Sequence, residues 1–188
     1  MVSNNYFAES QKGFVPGVSG CIKHQFLLKH SIDKCRSIGK YQVCLAMTDF
    51  GNAFGPVRHS LIEFALSNYD FPPRFIELIS SMYDELKNHL LLNEEMVEID
   101  QKIGVCQGDV LSLCLLLMVM NLILEPIHNK KLVAENGVTL FKNVRTTCIA
   151  FAEDVSILGR STRSLQTLLS VFQRGVDWTK CLCAAKEN

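Results

Sequence analysis

Two places in this sequence set carboxylates at the end of an apolar run. Val43 to Met47 (VCLAM) leads into Thr48-Asp49, and Glu153-Asp154 falls between the apolar runs Thr146 to Ala150 and Val155 to Leu158. An acid that closes a hydrophobic strand costs desolvation energy unless something positive meets it. Acids delivered from two strands could share divalent cations. Oxygen donors suit Mg²⁺, which takes one or two carboxylates and completes its shell with phosphate and water. Two such ions about 4 Å apart can activate an attacking oxygen and stabilise a leaving one. Taken singly, each acid is more often a solvated turn or strand end. Gly104-Val105-Cys106-Gln107-Gly108-Asp109 is a third feature. Its glycines allow close backbone approach, and the helix start that follows favours an anion such as a phosphate. The same residues also describe a tight turn into a helix with Asp109 as N-cap.

The elements that must carry these residues can be read from periodicity. Val43 to Met47 predicts a buried strand ending at the first acid. Thr146 to Ala150 and Val155 to Leu158 predict a hairpin with Phe151-Ala152-Glu153-Asp154 at its bend. His59 to Ser67 has helical spacing, with Leu61, Ile62, Ala65 and Leu66 on one face. Phe71-Pro72-Pro73 breaks that helix and opens another, Arg74 to about Leu86, with Phe75, Leu78, Ile79 and Met82 inward. Met96 to Ile103 partly alternates and predicts a strand. Val110 to Leu124 predicts a helix buried on most sides, shorter than the roughly 20 residues a membrane span needs. Ser161-Thr162-Arg163-Ser164 caps a last helix whose stripe is Leu165, Leu168, Leu169 and Phe172. The mixture predicts an α+β fold, a small antiparallel sheet with helices packed on one face.

With 188 residues, 48% hydrophobic and 20% charged, the chain is long and apolar enough for a packed core. A disordered tail, a coiled coil and a collagen-like rod are excluded. The net charge is zero, which argues against tight sequence-independent binding to nucleic acid. Its distribution is uneven: residues 1–40 carry six basic and two acidic groups, 41–129 four and twelve, and 130–188 nine and five. The eight cysteines form no Cys-x-x-Cys pair, and with five histidines no spacing marks a zinc site. The polar start, Met1 to Ser10, lacks an apolar signal core. The expectation is free thiols and an intracellular protein, nuclear or cytoplasmic and not secreted, with no membrane partner.

Three segments occur in a telling order: Asp49-Phe50-Gly51-Asn52-Ala53-Phe54-Gly55, then Gly104 to Ser112, then Phe151-Ala152-Glu153-Asp154. With Gln11-Lys12-Gly13-Phe14-Val15-Pro16-Gly17-Val18-Ser19-Gly20-Cys21 ahead of them, they resemble the reverse transcriptase domain of non-long-terminal-repeat retrotransposons, over about residues 11 to 186. The resemblance implies a polymerase palm and RNA-directed DNA polymerase activity. It implies that Asp49, Glu153 and Asp154 are the catalytic metal ligands, holding two Mg²⁺ ions for which Mn²⁺ can substitute. It further implies that Phe50 offers its backbone N–H to the triphosphate. Phe54 would be the aromatic gate against a 2′-hydroxyl, and Gln107 and Gly108 would contact the incoming nucleotide and the template. The partners implied are an RNA template, a DNA primer and deoxynucleoside triphosphates. Read from composition alone, Phe54 and Phe151 are equally core aromatics.

The pattern departs from the family in places. Glu153 stands where the family has aspartate, which moves the carboxylate outward by about 1.3–1.5 Å. Leu111-Ser112-Leu113 stands where the family has Leu-Ser-Pro. Residues 1–40 are expected to be a remnant of the fingers or pre-palm segment, and residues 41–188 the palm, without a thumb. The competing reading is a non-catalytic retrotransposon remnant or nucleic-acid-binding module. An RNA-directed RNA polymerase would share the palm, but Phe54 speaks against it.

Overall fold

The computed structural model describes residues 7–15, 17–37, 42–50, 55, 57–106, 108–141 and 144–185, without the side chains of 180–185. In chain order the elements are helix α1 (Gly20–Ser37), strand β1 (Cys44–Thr48), helices α2 (His59–Asn68) and α3 (Pro73–Asp84), and strands β2 (Lys87–Leu92) and β3 (Glu95–Asp100). There follow helix α4 (Val110–Leu124), a 3₁₀ turn at Glu125–His128, helix α5 (Lys130–Asn136) and strands β4 (Val138–Phe141), β5 (Val144–Thr146), β6 (Cys148–Phe151) and β7 (Asp154–Gly159). Helix α6 (Thr162–Ala185) closes the order. The α+β class expected from the sequence is the class observed.

Contacts divide the chain into two compact units, residues 1–51 with 120–180, and residues 52–119 with 181–188. This division does not follow the expected boundary at residue 40. The reason is α1, whose Leu27 and Leu28 pack with Val43 and Leu45 against Val138, Ile149 and Leu158. The pre-strand segment is thus part of the sheet's own core.

The first unit is built on a three-stranded antiparallel sheet of order β1-β7-β6. β1 pairs with β7 from Cys44 opposite Gly159 to Thr48 opposite Val155, and β6 pairs with β7 from Cys148 opposite Ile157 to Phe151 opposite Asp154. Opposed residues share a face. One face therefore carries Leu45, Leu158 and Ile149 at the end that α1 covers. The other carries Ala46, Cys148, Ala150, Val155 and Ile157, of which the last four are buried. β7 lies between its partners and reads as a nearly continuous apolar run because it is packed on both faces. A two-stranded β4–β5 ribbon sits in the same unit. α6 starts as expected, with Ser161 Oγ accepting from the Ser164 N–H at 3.1 Å, and it buries Leu168 and Phe172.

In the second unit, α2 buries the predicted face of Leu61, Ile62, Ala65 and Leu66. α3 is rotated from its predicted stripe: Ile79 is buried, but Tyr83 replaces Met82, and Leu78 and Met82 are exposed. Tyr83 turns inward because its ring packs on His59 and its hydroxyl meets Ser112 Oγ at 3.2 Å. The predicted strand Met96–Ile103 is β3, shorter by three residues, with Ile103 in an isolated bridge to Arg58. Its partner β2 was not predicted. The helical run Val110–His128 has the length and apolarity of a membrane span, contrary to the length expectation. Most of it is buried inside the protein, which suits a core helix. The described cysteines, Cys21, Cys35, Cys44, Cys106, Cys114 and Cys148, are all free thiols.

Candidate active site

β1 ends at Thr48, whose hydroxyl donates to the Val155 carbonyl at 2.9 Å and so ties the last rung of the ladder. Extending the register by one residue sets Asp49 opposite Asp154, the first residue of β7. Cα atoms opposed across such a pair stand about 5 Å apart. Strand alternation puts Asp49 in line with Met47 and Leu45, and Asp154 in line with Ser156 and Leu158. The face that is apolar where α1 covers it thus becomes acidic at its open end, where Asp49 and Asp154 are exposed.

Glu153 is the second residue of the two-residue loop between β6 and β7, and it is half-buried. The first, Ala152, is buried and has φ +53°. Positive φ at the first loop position is what the favoured two-residue hairpin turns require, and residues other than glycine resist it. Something must hold this turn. Gln11 does so: it is 1% exposed, its Nε2 donates to the Ala152 carbonyl at 3.0 Å, and its Oε1 accepts from the N–H groups of Ala152 at 2.8 Å and Gly13 at 2.9 Å. Lys12 N–H donates to the Ala150 carbonyl, and Ala150 N–H donates to the Ser10 carbonyl, both at 2.9 Å. Sequence reasoning missed Gln11 and Gly13 as parts of the site. Only their place in the segment preceding the first acid marked them.

Phe50 is half-buried with its ring edge-on to Phe172 of α6, centroids 5.8 Å apart. Its side chain is an anchor, so a role for Phe50 toward substrate falls to its backbone. Phe151 faces Phe14 at 5.8 Å. Phe54 and Gln107 lie outside the described residues. Gly108, in the second unit, is exposed with φ +92°, a conformation that glycine adopts freely. Asp109 is the N-cap of α4: its carboxylate accepts from the Leu111 N–H at 3.2 Å and the Ser112 N–H at 3.3 Å. The N-cap expected of Asp109 in the turn reading is observed. The cap occupies N–H groups that an anion would otherwise take.

The donor set suits a hard cation. Asp49, Glu153 and Asp154 supply only carboxylate oxygens, and two of them, Asp49 and Asp154, are exposed next to the last β1–β7 pair. Among the described residues no cation pairs with any of the three. Nor, among the described residues, are three or more His, Cys, Asp or Glu side chains gathered into a group that would hold a metal. Asp49 and Asp154 thus each stand one residue beyond the last β1–β7 pair, Thr48 opposite Val155, and the side chains are not drawn into a closed cage.

The family model described as reverse transcriptase (RNA-dependent DNA polymerase) matches residues 1–185. The chain belongs to the reverse transcriptase family. Among solved structures, this reverse transcriptase chain is similar to an apo telomerase from Candida tropicalis truncated from its C-terminal domain, with TM-score 0.61 and 11% sequence identity. That similarity covers 86% of this chain and 32% of the telomerase chain, so this reverse transcriptase spans about a third of that structure's length. At such low identity the likeness is one of fold. No curated protein matches the sequence significantly. Divalent metals are general to reverse transcriptase domains, which agrees with an all-carboxylate donor set.

Proposed function

We propose that this chain is the RNA-directed DNA polymerase domain of a non-long-terminal-repeat retrotransposon, joining a deoxynucleoside triphosphate to a primer 3′-hydroxyl on an RNA template. The observation that supports the reading is the β1–β7 register, whose last pair, Thr48 opposite Val155, stands one residue short of Asp49 and Asp154, both exposed. Asp49, Asp154 and Glu153 are the residues that would hold two Mg²⁺ ions, with Mn²⁺ as a substitute. Bound there, the cations would supply charge neutralisation at the phosphates and a more acidic 3′-hydroxyl. The new bond joins the primer 3′-oxygen to the α-phosphorus, the bond from that phosphorus to the β-phosphate bridge breaks, pyrophosphate leaves and the hydroxyl proton passes to solvent. Asp49 and Asp154 fix where the reacting groups sit, and such positioning accounts for much of the catalysis in transfers of this kind. Phe50 offers its backbone N–H to the triphosphate, Phe54 excludes a 2′-hydroxyl, and Gln107 and Gly108 meet the nucleotide and template.

One observation favours the second reading, a non-catalytic remnant or nucleic-acid-binding module: the three carboxylates are not gathered into a group. Primer extension on poly(rA)/oligo(dT) with dTTP and either Mg²⁺ or Mn²⁺ separates the two. Incorporation that Asp49→Ala abolishes supports the polymerase. Wild-type incorporation no higher than that of Asp49→Ala defeats it and leaves the remnant.

A further inference from the structure

The bend carrying Glu153 and Asp154 is strained at Ala152 and is not held by its own strands alone. It is gripped from residues far away in sequence. Gln11 spends both ends of its amide on this bend, as acceptor for the Ala152 and Gly13 N–H groups and as donor to the Ala152 carbonyl. Hydrogen bonds to both the N–H and the C=O of one residue restrain the two peptide planes that flank it, and so its φ and ψ, which a bond to either group alone would not do. The side chain is 1% exposed, so bulk solvent does not compete for these bonds while it is in place. Gln11 also forms a parallel bridge with Ala150, which places it on the edge of β6 rather than on a free loop. Ala152 itself is 1% exposed, and its φ of +53° is one that an alanine leaves when it is free to do so.

We infer that Gln11 is a positioning residue: its side-chain amide holds Ala152 in the positive-φ turn and thereby sets the direction in which Glu153 and Asp154 leave the hairpin. The clamp itself is independent of what the acids do, and only its catalytic consequence rests on the polymerase reading. Gln11 touches no substrate and acts through the turn.

The test has two arms on the full chain. In the first, amide hydrogen exchange is measured on wild type, Gln11→Met and Gln11→Glu. Gln11→Met, of similar length but without donor or acceptor, should speed exchange at Ala152 and Gly13 by about tenfold to a hundredfold. Exchange at Ile157 and Leu158 of β7 should stay as it was. Gln11→Glu keeps an oxygen for the two N–H donors but sets a buried carboxylate oxygen against the Ala152 carbonyl in place of the donor, so it too should speed exchange at Ala152 above wild type and decides the matter if the Met variant does not fold. Unchanged exchange at Ala152 in a folded variant overturns the proposal, as does an increase spread evenly over β7. In the second arm, primer extension should show kcat lowered by on the order of 100-fold with KM for dTTP little changed. A raised KM with unchanged kcat would overturn the catalytic consequence. Should the wild type incorporate nothing, the polymerase reading has failed and the exchange arm alone decides the clamp.

Discussion

Replacing Gly13 by alanine tests how closely the segment before α1 must approach the acidic turn. A Cβ at Gly13 would lie 2.2 Å from the Ala152 nitrogen, 2.9 Å from the Phe151 carbonyl carbon and 3.0 Å from the Ala152 Cα. All three are backbone atoms, so no flexible side chain can swing away. Reaching an ordinary contact of 3.4 Å requires the two segments to part by about 1.2 Å. The same movement stretches the bonds between Gln11 and Ala152 from 3.0 and 2.8 Å to about 4 Å, beyond hydrogen-bonding range. Overpacking of this kind costs about 1–3 kcal/mol, and buried groups left without partners add about 1–3 kcal/mol. Gly13→Ala should therefore destabilise by about 3 kcal/mol, read as a lower urea midpoint with an unchanged slope. Displacing the turn by about 1 Å should also lower the rate of nucleotide incorporation by on the order of 100-fold. Gly17→Ala is the control: its φ is +73°, but nothing lies within 4 Å of the added carbon, so it should cost only about 1 kcal/mol. Equal effects at the two glycines, or a Gly13→Ala midpoint indistinguishable from wild type, would refute the crowding argument.

Of the remaining predictions, the Cys148 and His128 ones share a contact, since Cys148 Sγ lies 3.2 Å from His128 Nε2. Glu153→Asp withdraws the carboxylate by about 1.3–1.5 Å and should raise incorporation, most with Mg²⁺, whose octahedral demand is stricter; no gain would show that this position does not limit the geometry. Asp109→Ala removes the α4 cap and should cost about 1 kcal/mol in urea unfolding, with Asp109→Asn retaining most of it. Burial pushes the Cys148 thiol up to about 12. The folded state then keeps a proton that the unfolded chain loses, so stability is whole below the unfolded thiol's pKa and falls as pH rises toward 12, by about 1.4 kcal/mol per unit. Cys148→Ala should flatten that slope. Burial lowers His128, so its contribution is present above the ordinary histidine range and is lost as pH falls through the lowered value; His128→Gln should weaken the acid dependence of the urea midpoint.

The parts of the fold that could be read from sequence are those whose pattern is imposed locally. α4 was expected at Val110 to Leu124 and stands there, because a helix buried on most sides declares itself by composition alone. α2 and the start of α6 follow from periodicity and a serine cap, and the β6–β7 hairpin from two apolar runs about an acidic bend. β2 was missed for a definite reason. Lys87 to Leu92 does not alternate, because both of its faces are exposed, and its turn to β3 is Asn93-Glu94 without a glycine. Both turn residues nonetheless take positive φ, 50° and 71°. α1 shows no apolar stripe in sequence, because its polar and apolar residues are mixed around the helix, with Gly20 and Ser31 buried and Ile22 and Phe26 exposed.

The candidate site divides in the same way. Its acids could be found because a carboxylate at the end of an apolar strand is conspicuous at short range. What positions them could not, since Gln11 reaches Ala152 across 141 residues and carries no pattern of its own. A buried amide engaged at both ends looks, in sequence, like any surface glutamine. The strain at Ala152 sharpens the point. A hairpin of glycine and asparagine would form its turn unaided, whereas an alanine held at positive φ depends on its surroundings. The segment at residues 10–13 supplies that restraint through backbone bonds to β6 and the Gln11 amide. The acidic end of the sheet is therefore the product of two distant segments. Its geometry should fail when either is disturbed, even with every carboxylate intact.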